Sequence, residues 1–359
     1  MTRTLTRETT AIDFGRSVIV LRGPHGSPSV RIGVRSVIVI LTLTIAALLV
    51  AVVALGTGDY PIAPVRVIET LVGGGTRFEN LVITEWRLPR VACALVLGAV
   101  LGVSGAIFQS LTHNALGSPD IIGFNTGAYS GALVTILIIG TDHQYGTALG
   151  ALLGGVATAL AVYVFAFKRG VQGFRLIIVG IALSAMLASL NTWLILKADL
   201  DDALSAATWG AGTLNGITWA DATPALVVSA ILVPFIMIAA YIGPVMEMGD
   251  DTARAFGVRV EPTRLFVIVL GVALTAIATS VAGPIAFVSL AAPQLARRLT
   301  RSAGVALAPA AAMGALLLVG SDYVAQHAFA PTQLPVGVVT ASVGGVYLVW
   351  LLAQEARRQ

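Results

Sequence analysis

A chain of 359 residues that is 57% hydrophobic and only 11% charged falls outside the class of water-soluble domains, in which about 25% of residues are charged. Its mean hydropathy of +0.89 requires lipid as the solvent, and with aromatic residues at 7% the net charge of +4 is no nucleic-acid footprint. Two Lys and twenty Arg are instead the residues that orient a chain in a bilayer.

In chain order, residues 1–35 carry Arg3, Arg7, Arg16, Arg22, Arg31 and Arg35 among Gly, Pro and Ser, which predicts a basic cytoplasmic tail that is disordered. The apolar run Val37–Leu55 follows. It is long enough to span a bilayer, too long for a signal-peptide core and trailed by no small-residue cleavage pattern, so a retained first helix is predicted. Further segments able to cross about 30 Å at about 1.5 Å per residue fall at 90–111, 119–140, 146–166, 175–197, 223–243, 264–281, 285–300, 305–324 and 335–353. About ten transmembrane helices are thus expected, making 36–359 an all-α, polytopic membrane domain. Only the Gly283-Pro284 pair divides the seventh span from the eighth, because Leu265 to Leu295 contains no charge.

Ten spans place both termini on one side. With that side cytoplasmic, 17 basic residues lie inside and five outside (Arg66, Arg77, Arg87, Arg90 and Lys197), as the positive-inside rule requires. Glycines recur four apart at Gly98 and Gly102, Gly127 and Gly131, and Gly150 and Gly154, a spacing that lets helix backbones approach in lipid. The single cysteine, Cys93, sits in an apolar run and is read as packing; no disulfide can form within the chain.

Groups that could do chemistry are sparse. Asp120, beside Pro119 at the start of the third span, and Asp322, near the outer end of the ninth, are read as capping and interfacial residues rather than proton relays. An ion-coupled secondary transporter would need such relays inside its helices, and an intramembrane enzyme would need paired Ser/His, Asp/Asp or His/Glu groups. Neither pattern is present. His25, His113, His143 and His327 are scattered, so no metal site is expected, and without a Gly-Lys dipeptide there is no phosphate-binding loop. No cofactor is expected in this chain, and any ATP must act on a partner subunit. The longest polar segment between spans, Met246 to Glu261, opens a short helix with Asp250 and Asp251 and ends it at Gly257. A docking helix for a partner and a solvated loop both fit that pattern.

Several ordered motifs carry a family resemblance. Glu85-Trp-Arg-Leu-Pro-Arg90, Leu101 to Gln109, Asn114 to Gly123 with Asn125 to Ala128, Glu247 to Gly257, Ala282 to Val288 and Leu334 to Thr340 together resemble the iron-siderophore and cobalamin permease family of ABC importers. The likeness covers about residues 40 to 355. Thr84 to Arg90, Gly123 to Gly127, Phe174 to Ile178, Asn191 to Trp193 and Gln354 to Arg358 are similar to the ferric enterobactin branch, one half of a heterodimeric channel.

The resemblance implies an ABC importer type II permease in the cytoplasmic membrane, carrying a catecholate ferric siderophore, with another iron chelate, haem or cobalamin as the rival cargo. It implies a second permease subunit, two ATPase subunits that hold the ATP, and an extracytoplasmic siderophore-binding protein. Carried over residue by residue, Arg87 and Arg90 would dock the binding protein. Gly249, Asp250, Asp251, Ala253, Arg254 and Gly257 would couple to the ATPase, and Phe108, Gln109, Asn114 and Asn125 would flank the translocation path. This chain departs from the family at His113, Ala115, Gln294, Gln326 and Gln333. The last two remove an outer charge pair expected to help in docking.

Overall fold

In lipid every backbone N–H and C=O must find a partner within the chain, and an α-helix supplies them segment by segment. The computed structural model describes residues 18–21, 30–140, 144–166 and 173–356, and these are mostly helical. Strands β1 (Val18–Leu21) and β2 (Val30–Gly33) form a small antiparallel hairpin, with Val18 opposite Gly33. Val18, Ile19, Val20, Val30 and Ile32 are β-branched and favour extended backbone. The rest of the basic tail, with His25, His143, Lys168, Arg169, Arg357 and Arg358, lies outside the described residues.

The hairpin leads into α1 (Val34–Gly56), followed by the short α2 (Pro64–Leu71) and α3 (Arg77–Asn80). A π-helical stretch, Leu81–Arg87, joins α3 to α4 (Leu88–Thr112), giving one continuous 36-residue helix. Next come α5 (Phe124–Leu133) with a π-helical extension to Ile139, α6 (Gln144–Ala166), α7 (Gly173–Lys197), α8 (Leu200–Gly210) and α9 (Trp219–Glu247). The chain closes with α10 (Asp250–Ala255), α11 (Val260–Ala282), α12 (Val288–Thr300), α13 (Leu307–His327) and α14 (Val336–Ala356).

Seven helices among the described residues are long and apolar enough to cross a membrane, and Phe124–Ile139 and Val336–Trp350 are shorter apolar stretches. The expected eighth span, 285–300, is corrected. Its helix α12 has 13 residues, only about 20 Å. Gly283 at φ 70° and Phe287 at φ 69° break the helical path after α11, so α12 is a separate helix too short to complete the return crossing. Ser289 lies against Gly105, a position about 10 Å inside the end of α4 at about 1.5 Å per residue. Helix α12 therefore starts within the bundle.

Helix α4 is the centre of the fold: Cys93, Ala94, Leu97, Ala106 and Phe108 are wholly buried. Its glycines decide the closest contacts. A Cβ on Gly98 would strike the Gly314 carbonyl of α13, and one on Gly102 the Ala310 carbonyl. Gly127 and Gly131 of α5 meet Gly154 and Gly150 of α6 in the same way, so backbone contact replaces the hydrophobic drive that lipid removes.

Candidate functional site

The bundle has two polar ends. One carries the α1–α4 connection, the start of α9 and the end of α13; the other carries the end of α4, helix α10 and the end of α12. At the first end, Arg87 closes the last turn of α1, donating to the Leu55 carbonyl at 2.8 Å and the Tyr60 carbonyl at 2.9 Å. A guanidinium at a helix C-terminus satisfies orphan carbonyls and complements the dipole.

Arg90 is locked rather than presented. Its Nε donates to both Asp322 oxygens at 3.0 and 3.1 Å and its Nη2 to Oδ1 at 2.7 Å. The Arg90 side chain is 12% exposed and that of Asp322 1%. Gln326 donates to Asp322 Oδ2 at 2.8 Å. Asp322 is thus the buried partner of an arginine on α4 and not an interfacial cap.

Inside the bundle, Asp120 does not cap its own helix either. One oxygen accepts from the Phe287 N–H at 3.3 Å and the Ser289 hydroxyl at 2.7 Å, at the start of α12, while the other accepts from Asn125 Nδ2 at 2.5 Å. Asn125 in turn accepts from the Thr279 hydroxyl of α11 at 3.0 Å. A helix that begins inside the protein exposes unpaired N–H groups in a medium without water, and the carboxylate meets that need.

The four expected path residues are divided by this geometry. Phe108 is fully buried against the Phe124 ring at 5.4 Å, and Asn125 is 8% exposed within the Asp120 network. Gln109 donates to the Leu290 carbonyl at 3.0 Å and accepts from Gln294 at 2.6 Å. With Asn114, His113, Glu247 and Arg297 it lines a polar cavity of about 230 Å³ at the α10 end.

Helix α10 is built for display. Its C-terminus closes with two nested bonds, Val258 N–H to the Ala253 carbonyl and Gly257 N–H to the Arg254 carbonyl, at 3.0 and 2.9 Å. This closure needs a left-handed residue after the cap, and Gly257 supplies it at φ 80°. Gly249 opens the helix at φ 99°. Ala253 is fully buried and roots the helix, whereas Asp251 and Arg254, paired at 2.9 Å, face outward beside Phe256, which is 70% exposed. The helix is fastened to α11 by Arg264, which bonds Asp250 at 2.6 Å and Glu261 at 3.2 Å.

Sequence reasoning missed Arg264, the Asp120 cap and the Arg90–Asp322 pair. For the last a signal existed: two lone opposite charges at the outer ends of the second and ninth spans. For the Arg264–Asp250 bond there was none.

Comparisons with known proteins agree with this architecture. The chain is 49% identical over 329 residues to the ferric enterobactin transport system permease protein FepG of Escherichia coli strain K12, covering 90% of this chain and 98% of that protein. It is 35% identical over 327 residues to the iron(3+)-hydroxamate import system permease protein FhuG of Bacillus subtilis strain 168, covering 87% and 96%. A solved structure described as an inward-facing conformation of a metal-chelate type ABC transporter superposes with a TM-score of 0.78 at 27% identity, over 88% of this chain and 99% of that one. Since residues 43–354 match the FecCD transport family, this multi-pass membrane protein belongs to that family of transport permeases.

Proposed function

We propose that this chain is half of the membrane channel of an ATP-driven importer for a ferric siderophore of the catecholate, enterobactin-like type. A homologous second permease subunit completes the channel, two ATPase subunits bind and hydrolyse the ATP, and an extracytoplasmic binding protein delivers the cargo. The chain itself then needs no cofactor and catalyses no reaction. The positive-inside rule puts the α10 end, with Arg35, Arg254, Arg259, Arg264, Arg297, Arg298 and Arg301, in the cytoplasm together with both termini.

The observation that carries the reading is α10: a short, rooted helix with an exposed aromatic, placed between two membrane-crossing helices. Motion of a seated ATPase there would be passed to α9 and α11. Asp120 and Asp322 support the same reading, because each is held by several donors and neither is poised as the relay of an ion-coupled carrier. Docking of the binding protein is assigned to the rim at Arg87 and Arg90. A carboxylate on that partner reaches Arg90 only by displacing Asp322, which makes Arg87 the readier contact.

The test is uptake of radiolabelled iron in a strain lacking its own permease, with catecholate, hydroxamate and haem sources offered in turn. Catecholate uptake that disappears when residues 250–256 are deleted, with membrane insertion intact, is the expected result. Preference for hydroxamate or haem would overturn the cargo, and uptake that survives the deletion would overturn the coupling role.

A further inference from the structure

Helix α2 divides its surface three ways. Val67 and Thr70 are buried against the bundle, at 0% and 2% exposure. Arg66 and Glu69, three residues apart, form an ion pair at 2.7 Å that Glu79 of α3 extends on the same guanidinium. The third strip is apolar and bare: Val65 at 67%, Ile68 at 53%, Leu71 at 41% and, just past the helix, Val72 at 80%. An eight-residue segment outside the spans gains nothing by holding such a strip in water.

The strip adjoins the exposed apolar face of the first membrane-crossing helix. Ile38, Leu41, Ile45, Leu48, Leu49 and Val53 run exposed along α1. Val53 at the top of that run lines a cavity of about 240 Å³ together with Pro64, the first residue of α2. The same end carries a belt of half-exposed aromatics. Tyr60 packs edge-on to Phe78 at 5.1 Å, and Trp86 is 61% exposed. Amphipathic rings gather at headgroup depth, and an amphipathic helix lying in that plane buries its apolar face at the acyl boundary while its charges stay in water.

We infer that α2 is an interfacial helix whose Val65, Ile68 and Val72 edge rests in the lipid headgroup layer, with the Arg66–Glu69–Glu79 cluster turned to water. Its partner is a lipid surface, not a protein. The helix then holds the exit of α1 at a fixed depth and keeps the rim that bears Arg87 level with the membrane.

Cys93 is fully buried, so a cysteine placed on α2 can be labelled selectively. The full chain, with Ile68→Cys, Val65→Cys or Glu69→Cys carrying an environment-sensitive fluorophore, is reconstituted in vesicles of phosphatidylcholine brominated near the headgroup. The expected result is loss of emission by the brominated lipid at positions 65 and 68 with little loss to aqueous iodide, and the reverse at position 69. Iodide quenching at 65 and 68 as strong as at 69 overturns the proposal. Relief of that quenching only on adding an extracytoplasmic binding protein also overturns it, in favour of a protein-docking face.

Discussion

Removing Asp322 alone should damage this protein more than removing Asp322 and Arg90 together. Three donor–acceptor distances of 2.7 to 3.1 Å hold the pair, and exposures of 12% and 1% leave little solvent to screen either charge. Breaking a buried pair from one side strands the other charge at a cost of about 3–5 kcal/mol, whereas replacing both by apolar side chains of similar volume is often close to neutral. Asp322→Leu or Arg90→Met should therefore each remove a large part of a total stability of about 5–15 kcal/mol. The double replacement should recover most of it. Denaturant unfolding of the purified protein in detergent, run as a double-mutant cycle, measures this directly. Single costs that simply add, within about 0.5 kcal/mol, would refute the argument that the pair is one buried unit. Iron uptake by the double variant then separates two roles for Arg90. Restored uptake assigns it to the fold alone, and lost uptake in a stable protein assigns it to docking.

Other predictions follow from the same contacts. Gly314→Leu should prevent α4 and α13 from meeting, because even a Cβ there would strike the Gly98 carbonyl; the variant should insert yet run as a loosened species in limited proteolysis. Asp120→Ala should leave the Phe287 N–H and two side-chain donors unpaired, at about 1–3 kcal/mol for each buried group, and hydrogen exchange should rise first at the start of α12. Gly257→Val should cost about 1–2 kcal/mol for a side chain in a left-handed conformation, and since a Cβ there meets nothing within 4 Å the damage should be confined to α10. ATP hydrolysis in the assembled transporter should then proceed without matching uptake. Arg264→Asp should uncouple similarly, and Asp250→Arg in the same chain should recover part of the coupling. Charge reversal at Arg87 should weaken binding-protein capture most at low salt.

Much of the bundle was legible because lipid imposes local rules. Apolar runs marked where helices stand, and the four-residue glycine spacing marked the backbone contacts that join α4 to α13 and α5 to α6. Helix α10 was legible for a local reason too: two acids open it and a glycine ends it. What escaped depends on distance along the chain. Arg90 and Asp322 are 232 residues apart and Asp120 and Ser289 169 apart. No periodicity ties such residues to each other. The half-length of α12 was hidden because Leu265 to Leu295 is apolar whether the chain crosses fully or turns midway. Composition reports the solvent around a segment and is silent on how deep its ends lie.

The start of α12 inside the bundle also sets a problem of timing for the ribosome. Its cap, Asp120, precedes Phe287 by 167 residues, an interval of roughly 8 to 30 s at about 5–20 residues per second. Through that interval a carboxylate is already delivered to the membrane while most of its partners are unmade, with only Asn125 beside it to share the charge. The third span must wait at a watery site, in the insertion machinery or at the headgroup layer, until the last third of the chain arrives to enclose it.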